Sequence, residues 1–210
     1  MIGHGLAVAH RPLARAHWDR LIAAGFAIGA TCFFVGPFPG FVQVAGQGAD
    51  GVVFFVGSVF FTLAAGLELR EATLRLGRWT SNPSWWSAAI QFAGTLLFNV
   101  NTFAAMQDGI SAQQENRLVF APDLFGSACF LVSGVLAYRV ASGPESSMAA
   151  VNLAGCVFFG ISALASYVVP STGSVLDLAA VNWCTGLGAL CFLVGALMLF
   201  PRKSIVLKEA

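Results

Sequence analysis

Residues 84–106, SWWSAAIQFAGTLLFNVNTFAAM, run without an Asp, Glu, Lys or Arg. At 1.5 Å rise per residue, a helix of this length crosses the ~30 Å hydrocarbon core of a bilayer. The same charge-free gap recurs between Arg20 and Asp50, Asp123 and Arg139, Glu145 and Asp177, and Asp177 and Arg202. These gaps predict helices at 20–37, 51–69, 84–106, 122–140, 147–169 and 178–200, with 122–140 the shortest fit. The expected fold is therefore an all-α membrane protein of six spans in three hairpins. The hairpins occupy 20–76, 84–140 and 147–200, between tails 1–19 and 201–210. Composition agrees: the chain is 57% hydrophobic and 10% charged, against roughly 25% charged in soluble domains.

The first span follows Arg11, Arg15 and Arg20 but exceeds the ~7–15 apolar residues of a signal peptide. No clean small-x-small cleavage site follows it before Asp50, so a retained helix is expected. Orientation follows from the basic residues. Arg11, Arg15, Arg20, Arg70, Arg75, Arg78, Arg139, Arg202, Lys203 and Lys208 fall in the two tails and the 70–83 and 139–147 loops, whereas the three opposite loops hold only Arg117. Both termini are expected in the cytoplasm. Trp18, Trp85 and Trp86 at that interface, and Trp183 at the other, suit an aromatic belt.

Each predicted helix also carries Gly-x-x-x-Phe: Gly29 with Phe33, Gly57 with Phe61, Gly94 with Phe98, Gly126 with Phe130, Gly155 with Phe159, and Gly188 with Phe192. A seventh pair is Gly51 with Phe55, where 23 Gly and 19 Phe would give roughly two pairs by chance. One copy per helix is an internal repeat. Three residues beyond the Phe stand Gly36, Ala64, Asn101, Ser133, Ser162 and Gly195. Positions i, i+4 and i+7 share one helical face. In lipid, helices associate through close packing and interhelical hydrogen bonds, because acyl chains are as apolar as the side chains. The six glycines are thus expected to be helix-packing positions, each receiving a neighbour's phenylalanine, and three hairpins on one plan suggest duplication of a two-helix unit.

Residues 18–76 resemble the YrhK-like family, a short two-helix bacterial membrane domain. The resemblance is best over Phe55-Val56-Gly57-Ser58-Val59-Phe60-Phe61-Thr62-Leu63 and the closing Glu68-Leu69-Arg70. Looser echoes stand at Gly94-Thr95 and Gly126-Ser127. The resemblance implies a multi-pass protein of the bacterial plasma membrane and no particular activity. This chain departs from the short form by two further hairpins.

Polar residues within spans are the candidate site. Ionisable groups there cost at least ~2.5–3.5 kcal/mol at the bilayer centre. Asp123, after Pro122, is placed to cap the fourth helix. Glu68 and Glu71 beside Arg70 and Arg75 read as an interfacial ion-pair cluster. Gln91, Asn99, Asn101, Asp123 and Asn152 form a candidate intramembrane polar cluster. Gln91, Asp123, Asn152 and Thr185 stand three residues before the motif glycine, where the first two helices have Phe26 and Phe54. For Asn101 the expected partners are Gln91, Asn152 and Ser162, and hydrogen-bond glue between helices is the plainer role.

Other chemistry is not indicated. Cys32, Cys129, Cys156, Cys184 and Cys191 sit in apolar runs without metal or redox spacing. His4, His10 and His17 all lie in the N-terminal tail, so no haem ligation within the bilayer is expected. No catalytic, metal or phosphate-loop motif appears, no catalytic residue or cofactor is expected, and dispersed basic residues argue against nucleic acid. A non-enzymatic packing or interaction protein is the first reading, its partners the lipid bilayer and possibly itself or other membrane proteins. The alternative is a small-solute transporter or channel using the polar residues of the third to fifth helices. Pro37, Pro122, Pro170 and Pro201 are read as helix ends, leaving no broken helix of the transporter kind. A hydrated vestibule reaching Asn101 would favour transport, and a dry bundle would favour packing.

Overall fold

The computed structural model describes residues 5–77 and 81–200, with side chains from His17 onward except Pro39. The side chains of His4, His10, Arg11, Arg15, Arg78, Arg202, Lys203 and Lys208 lie outside the described residues. The chain is all-helical apart from one two-stranded turn. In order it forms α1 (Gly5–Val35), α2 (Pro39–Ala45), α3 (Gln47–Leu76), α4 (Pro83–Ala104), α5 (Ala112–Glu115), a π-helical turn (Asn116–Phe120), α6 (Ala121–Val140), α7 (Pro144–Ala165), strands β1 (Val168–Val169) and β2 (Ser174–Val175), and α8 (Leu178–Leu199).

Five helical stretches are long and apolar enough to cross a membrane: His17–Val35, Gln47–Leu76, Ala112–Val140, Pro144–Ala165 and Leu178–Leu199. Helix α4, the stretch from which the six-span reading starts, has 22 residues but is not among them. Its Gln91, Asn99 and Asn101 dilute its apolar content. It is nevertheless integral to the bundle, packed between α3 and α6.

Several boundaries differ from expectation, each for a local reason. Helix α3 runs on to Leu76, so Arg70 and Arg75 sit on helix, and Gly77 ends it at φ +86°, a conformation L side chains rarely adopt. The fourth predicted span is not the shortest. It extends back to Ala112 as a continuous run of 29 residues, so Pro122 lies within a helix and does not mark its end. Proline cannot donate to the i−4 carbonyl and crowds it, and the wider π turn just before it absorbs that defect. The fifth span stops at Ala165, because 168–175 turn back as an antiparallel pair, Val168 opposite Val175 and Val169 opposite Ser174. Asn116 pins this pair to the π turn: its Nδ2 donates to Val168 O at 2.6 Å and its Oδ1 accepts from Val168 N at 2.8 Å.

The six long helices alternate in direction and close into a ring in the order α1, α3, α4, α6, α7, α8, with α8 against α1. The end holding the 141–143 connection and the finish of α8 is called proximal here, and the end holding α2 and the strand pair distal. Tryptophans mark the proximal end: Trp86 is exposed there, whereas Trp85 is buried and donates from Nε1 to Thr73 Oγ1 at 2.9 Å. Arg70 lies over the Trp18 ring at 4.8 Å. All five cysteines are free thiols.

Candidate functional site

The motif phenylalanines meet on the bundle axis. Phe33, Phe98 and Phe159, from the helices that run toward the distal end, form a triangle with ring centroids 6.4, 5.9 and 5.8 Å apart. Phe61, Phe130 and Phe192, from the helices that run back, form a second at 6.5, 5.8 and 6.1 Å. The edges that join the two layers fall within hairpins: Phe33 to Phe61 at 5.5 Å, Phe98 to Phe130 at 4.9 Å, and Phe159 to Phe192 at 5.1 Å. The six rings therefore make a triangular prism, with a pseudo-threefold axis along the bundle and a pseudo-dyad through each hairpin.

Glycine sets this arrangement. Within each hairpin the motif glycine of one helix receives the phenylalanine of the other. A Cβ added at Gly94 would stand 2.8 Å from the Phe130 ring and 3.0 Å from the Gly126 carbonyl, and one at Gly57 2.9 Å from the Phe33 ring. Gly29 faces Phe61, Gly126 faces Phe98, Gly155 faces Phe192 and Gly188 faces Phe159. The residue after each glycine, Ala30, Ser58, Thr95, Ser127, Cys156 or Ala189, is buried. Two of these bond to the next hairpin: Ser58 Oγ and Thr102 Oγ1 share a bond of 3.0 Å, and Ser127 Oγ donates to Phe159 O at 3.4 Å.

The flanking positions pair by the same dyads. The residue three before one motif glycine meets the residue seven after its hairpin partner's. On the distal side Phe54 covers Gly36, the Asn101 amide faces the Asp123 carboxylate, and Ser162 and Thr185 hydroxyls lie 2.7 Å apart. On the proximal side Ser133 Oγ donates to Gln91 Oε1 at 3.2 Å, Asn152 lies over Gly195, and Phe26 stacks 6.0 Å from Phe61. Ser87 and Ser133 exchange hydroxyl-to-carbonyl bonds of 3.0 and 2.9 Å.

Two cavities result, one on each face of the prism. The distal one, about 840 Å³, has Phe33, Phe98 and Phe159 as its floor and Asp50, Asn101, Asp108, Asp123, Ser162 and Thr185 among its walls. The proximal one, about 140 Å³, is bounded by Phe61, Phe130 and Phe192, with Glu68, Ser87, Gln91 and Asn152 around it. Among the described residues no Lys, Arg or His lines either.

The five residues expected to cluster are thus divided. Asn101 and Asp123 are together at the distal cavity, and Gln91 and Asn152 share the proximal one across the aromatic layers. Asn99 is in neither lining: its Nδ2 donates to Thr62 Oγ1 at 2.9 Å in the α3–α4 seam, and its buried Oδ1 has no partner. Asn101, 7% exposed, takes Asp123 as partner and not Gln91 or Asn152. Asp123 does not cap a helix start. It lies inside a continuous helix and accepts from Ser166 Oγ at 3.5 Å. Glu71 pairs with Arg70 at 3.7 Å, while Glu68 leaves that cluster and faces the proximal cavity. The split was open to sequence reasoning: successive helices run in opposite directions, so the position before the glycine alternates between the two ends.

No family model, curated protein or solved structure matches the chain, and its functional reading rests on this geometry.

Proposed function

We propose that the chain is a six-span, non-enzymatic protein of the bacterial plasma membrane, and that its bundle is the closed form of a path for a small polar solute. The observation that carries this reading is the pair of cavities that face each other across two aromatic layers, each with several polar side chains set in a largely apolar wall. Hydrophobic constrictions gate by excluding water, and polar side chains at membrane depth are tolerated where they face a cavity. Interhelical glue explains the serine and threonine pairs, whereas the distal cavity, about 840 Å³, opens outward past the exposed Gln47 and Asp108 and reaches Asn101, Asp123 and the aromatic layer. The YrhK-like resemblance of residues 18–76 and a duplicated hairpin origin fit the threefold plan, and α4 is taken as the sixth span on its length and its place in the ring.

Flux into proteoliposomes tests the path. Phe98→Ala with Phe130→Ala removes one ring from each layer, and the doubly substituted protein should pass small neutral solutes in osmotic swelling at least roughly tenfold faster than the unaltered chain. Rates equal to protein-free vesicles for both, with the bundle still folded, would leave the packing and interaction reading. That second reading is favoured by the glycine–phenylalanine interlock, which needs no solute to account for it.

Arg70, Arg75 and Arg139 lie toward the proximal end and Arg117 toward the distal end, which supports a cytoplasmic proximal face. A reporter fused after Ala210 should read cytoplasmic, and one inserted within 107–111 external. The opposite pattern would overturn the topology.

A further inference from the structure

Glu68 is a proximal carboxylate outside the one ion pair found among the described residues, Arg70 with Glu71. It reaches the proximal cavity from α3, and among the described residues it has no hydrogen-bond donor and no basic partner. Arg70, two residues on, is turned away, held at Glu71 and over Trp18. Across the cavity stands Asn152, its Oδ1 against Gly195 and with no hydrogen-bond partner among the described residues, and Gln91 Oε1 keeps a lone pair beyond the one it gives Ser133. The remaining boundary is the aromatic layer of Phe61, Phe130 and Phe192.

An anionic group facing a largely apolar cavity costs several kcal/mol unless something offsets its charge or it takes up a proton. A cation in the cavity would supply that offset. Three features select its chemistry. Amide and carboxylate oxygens accept N–H bonds. Aromatic faces within ~6 Å attract a cation. A divalent metal would need six or more oxygen ligands or a compact ligand group, and no group of three His, Cys, Asp or Glu stands together among the described residues. The volume of about 140 Å³ holds a small ion together with roughly ten waters, at ~10–15 Å³ of such volume per water.

We propose that the proximal cavity binds a small monovalent cation of the ammonium or primary-amine class, with Glu68 as its counter-charge and Asn152 and Gln91 as hydrogen-bond acceptors. The Asp123–Asn101 pair on the other aromatic face offers the same carboxylate and amide chemistry to a cation that crosses. The passage, though not the binding, rests on the path proposed above.

The test uses the full chain in lipid nanodiscs, with thermal unfolding followed as methylammonium chloride replaces sodium chloride at constant ionic strength. Methylammonium should raise the unfolding temperature saturably, and Glu68→Gln should weaken half-saturation at least roughly tenfold. If Glu68→Gln does not fold, Asn152→Leu, which removes the opposite acceptor at similar volume, carries the same expectation. No difference between methylammonium and sodium, or an unchanged response in the folded variant, overturns the site. Labelled methylammonium uptake then separates the two ideas. Binding without uptake supports the site and sinks the path, whereas solute flux without a methylammonium response supports the path and sinks the site.

Discussion

The first and second hairpins share one frame and differ in what they hang on it. In both, a glycine of each helix receives the partner's phenylalanine, and both contribute one ring to each aromatic layer. Beside that frame the first hairpin places Phe54 over Gly36 and Phe26 against Phe61, whereas the second places Asp123 with Asn101 and Gln91 with Ser133. Both sets of flanks line the cavities, the first hairpin's with the rings of Phe26 and Phe54 and the second's with polar groups. The repeat therefore carries the architecture, and the departures from it carry the chemistry.

The largest effect expected is on the frame. Gly29→Leu and Gly94→Leu each drive a side chain into a facing carbonyl and ring, where the first added carbon would already stand 2.9 or 2.8 Å from its neighbour. Each should cost about 3 kcal/mol, read as a lowered unfolding temperature in detergent. A first hairpin that tolerates the change while the second does not would end the claim of a common frame.

The flanks should then separate stability from flux. Phe54→Ala removes a ring 5.2 Å from Phe33 and should cost ~2–3 kcal/mol. Asn101→Ala should cost only about 1 kcal/mol, yet lower solute flux in proteoliposomes, because Asn101 stands beside Asp123 in the cavity wall. If Asn101→Ala leaves flux intact, the polar flank is glue and the comparison reduces to packing.

The smallest effect lies in the seams between hairpins. Ser58→Ala loses the 3.0 Å bond to Thr102, and Ser127→Ala the longer bond of 3.4 Å to Phe159 O. The first should cost ~0.6 kcal/mol and the second less. A larger loss at Ser127 would show that the second and third hairpins depend on each other more than the first and second do.

Much of this frame was legible because its signals are local. Charge-free gaps locate the helices, and a Gly-x-x-x-Phe spacing puts its two residues on one face whatever surrounds them. That all six faces turn to one axis was not legible, since periodicity gives a face and no direction in the bundle. Pro122 misled for a related reason: proline usually ends a helix, and a π turn that accommodates it leaves no mark in the sequence. Glu68 was read among its sequence neighbours Arg70 and Glu71, but one helical turn separates ion-pair partners at the interface from a residue that faces inward. Asn101 was matched to amides by chemistry, while chain direction put Gln91 and Asn152 behind the aromatic layers.

The pseudo-dyads through the hairpins have a consequence for insertion. A lattice in which each glycine and phenylalanine has a counterpart pointing the other way reads the same from either face, as a palindrome does. Turning the bundle over would exchange the two aromatic layers and leave their contacts intact. Nothing within the frame therefore fixes which face is up, and that choice falls to side chains outside it, above all the arginines near the proximal end. Such a scaffold is free to be inverted by a few surface charges without any change to the packing that holds it together.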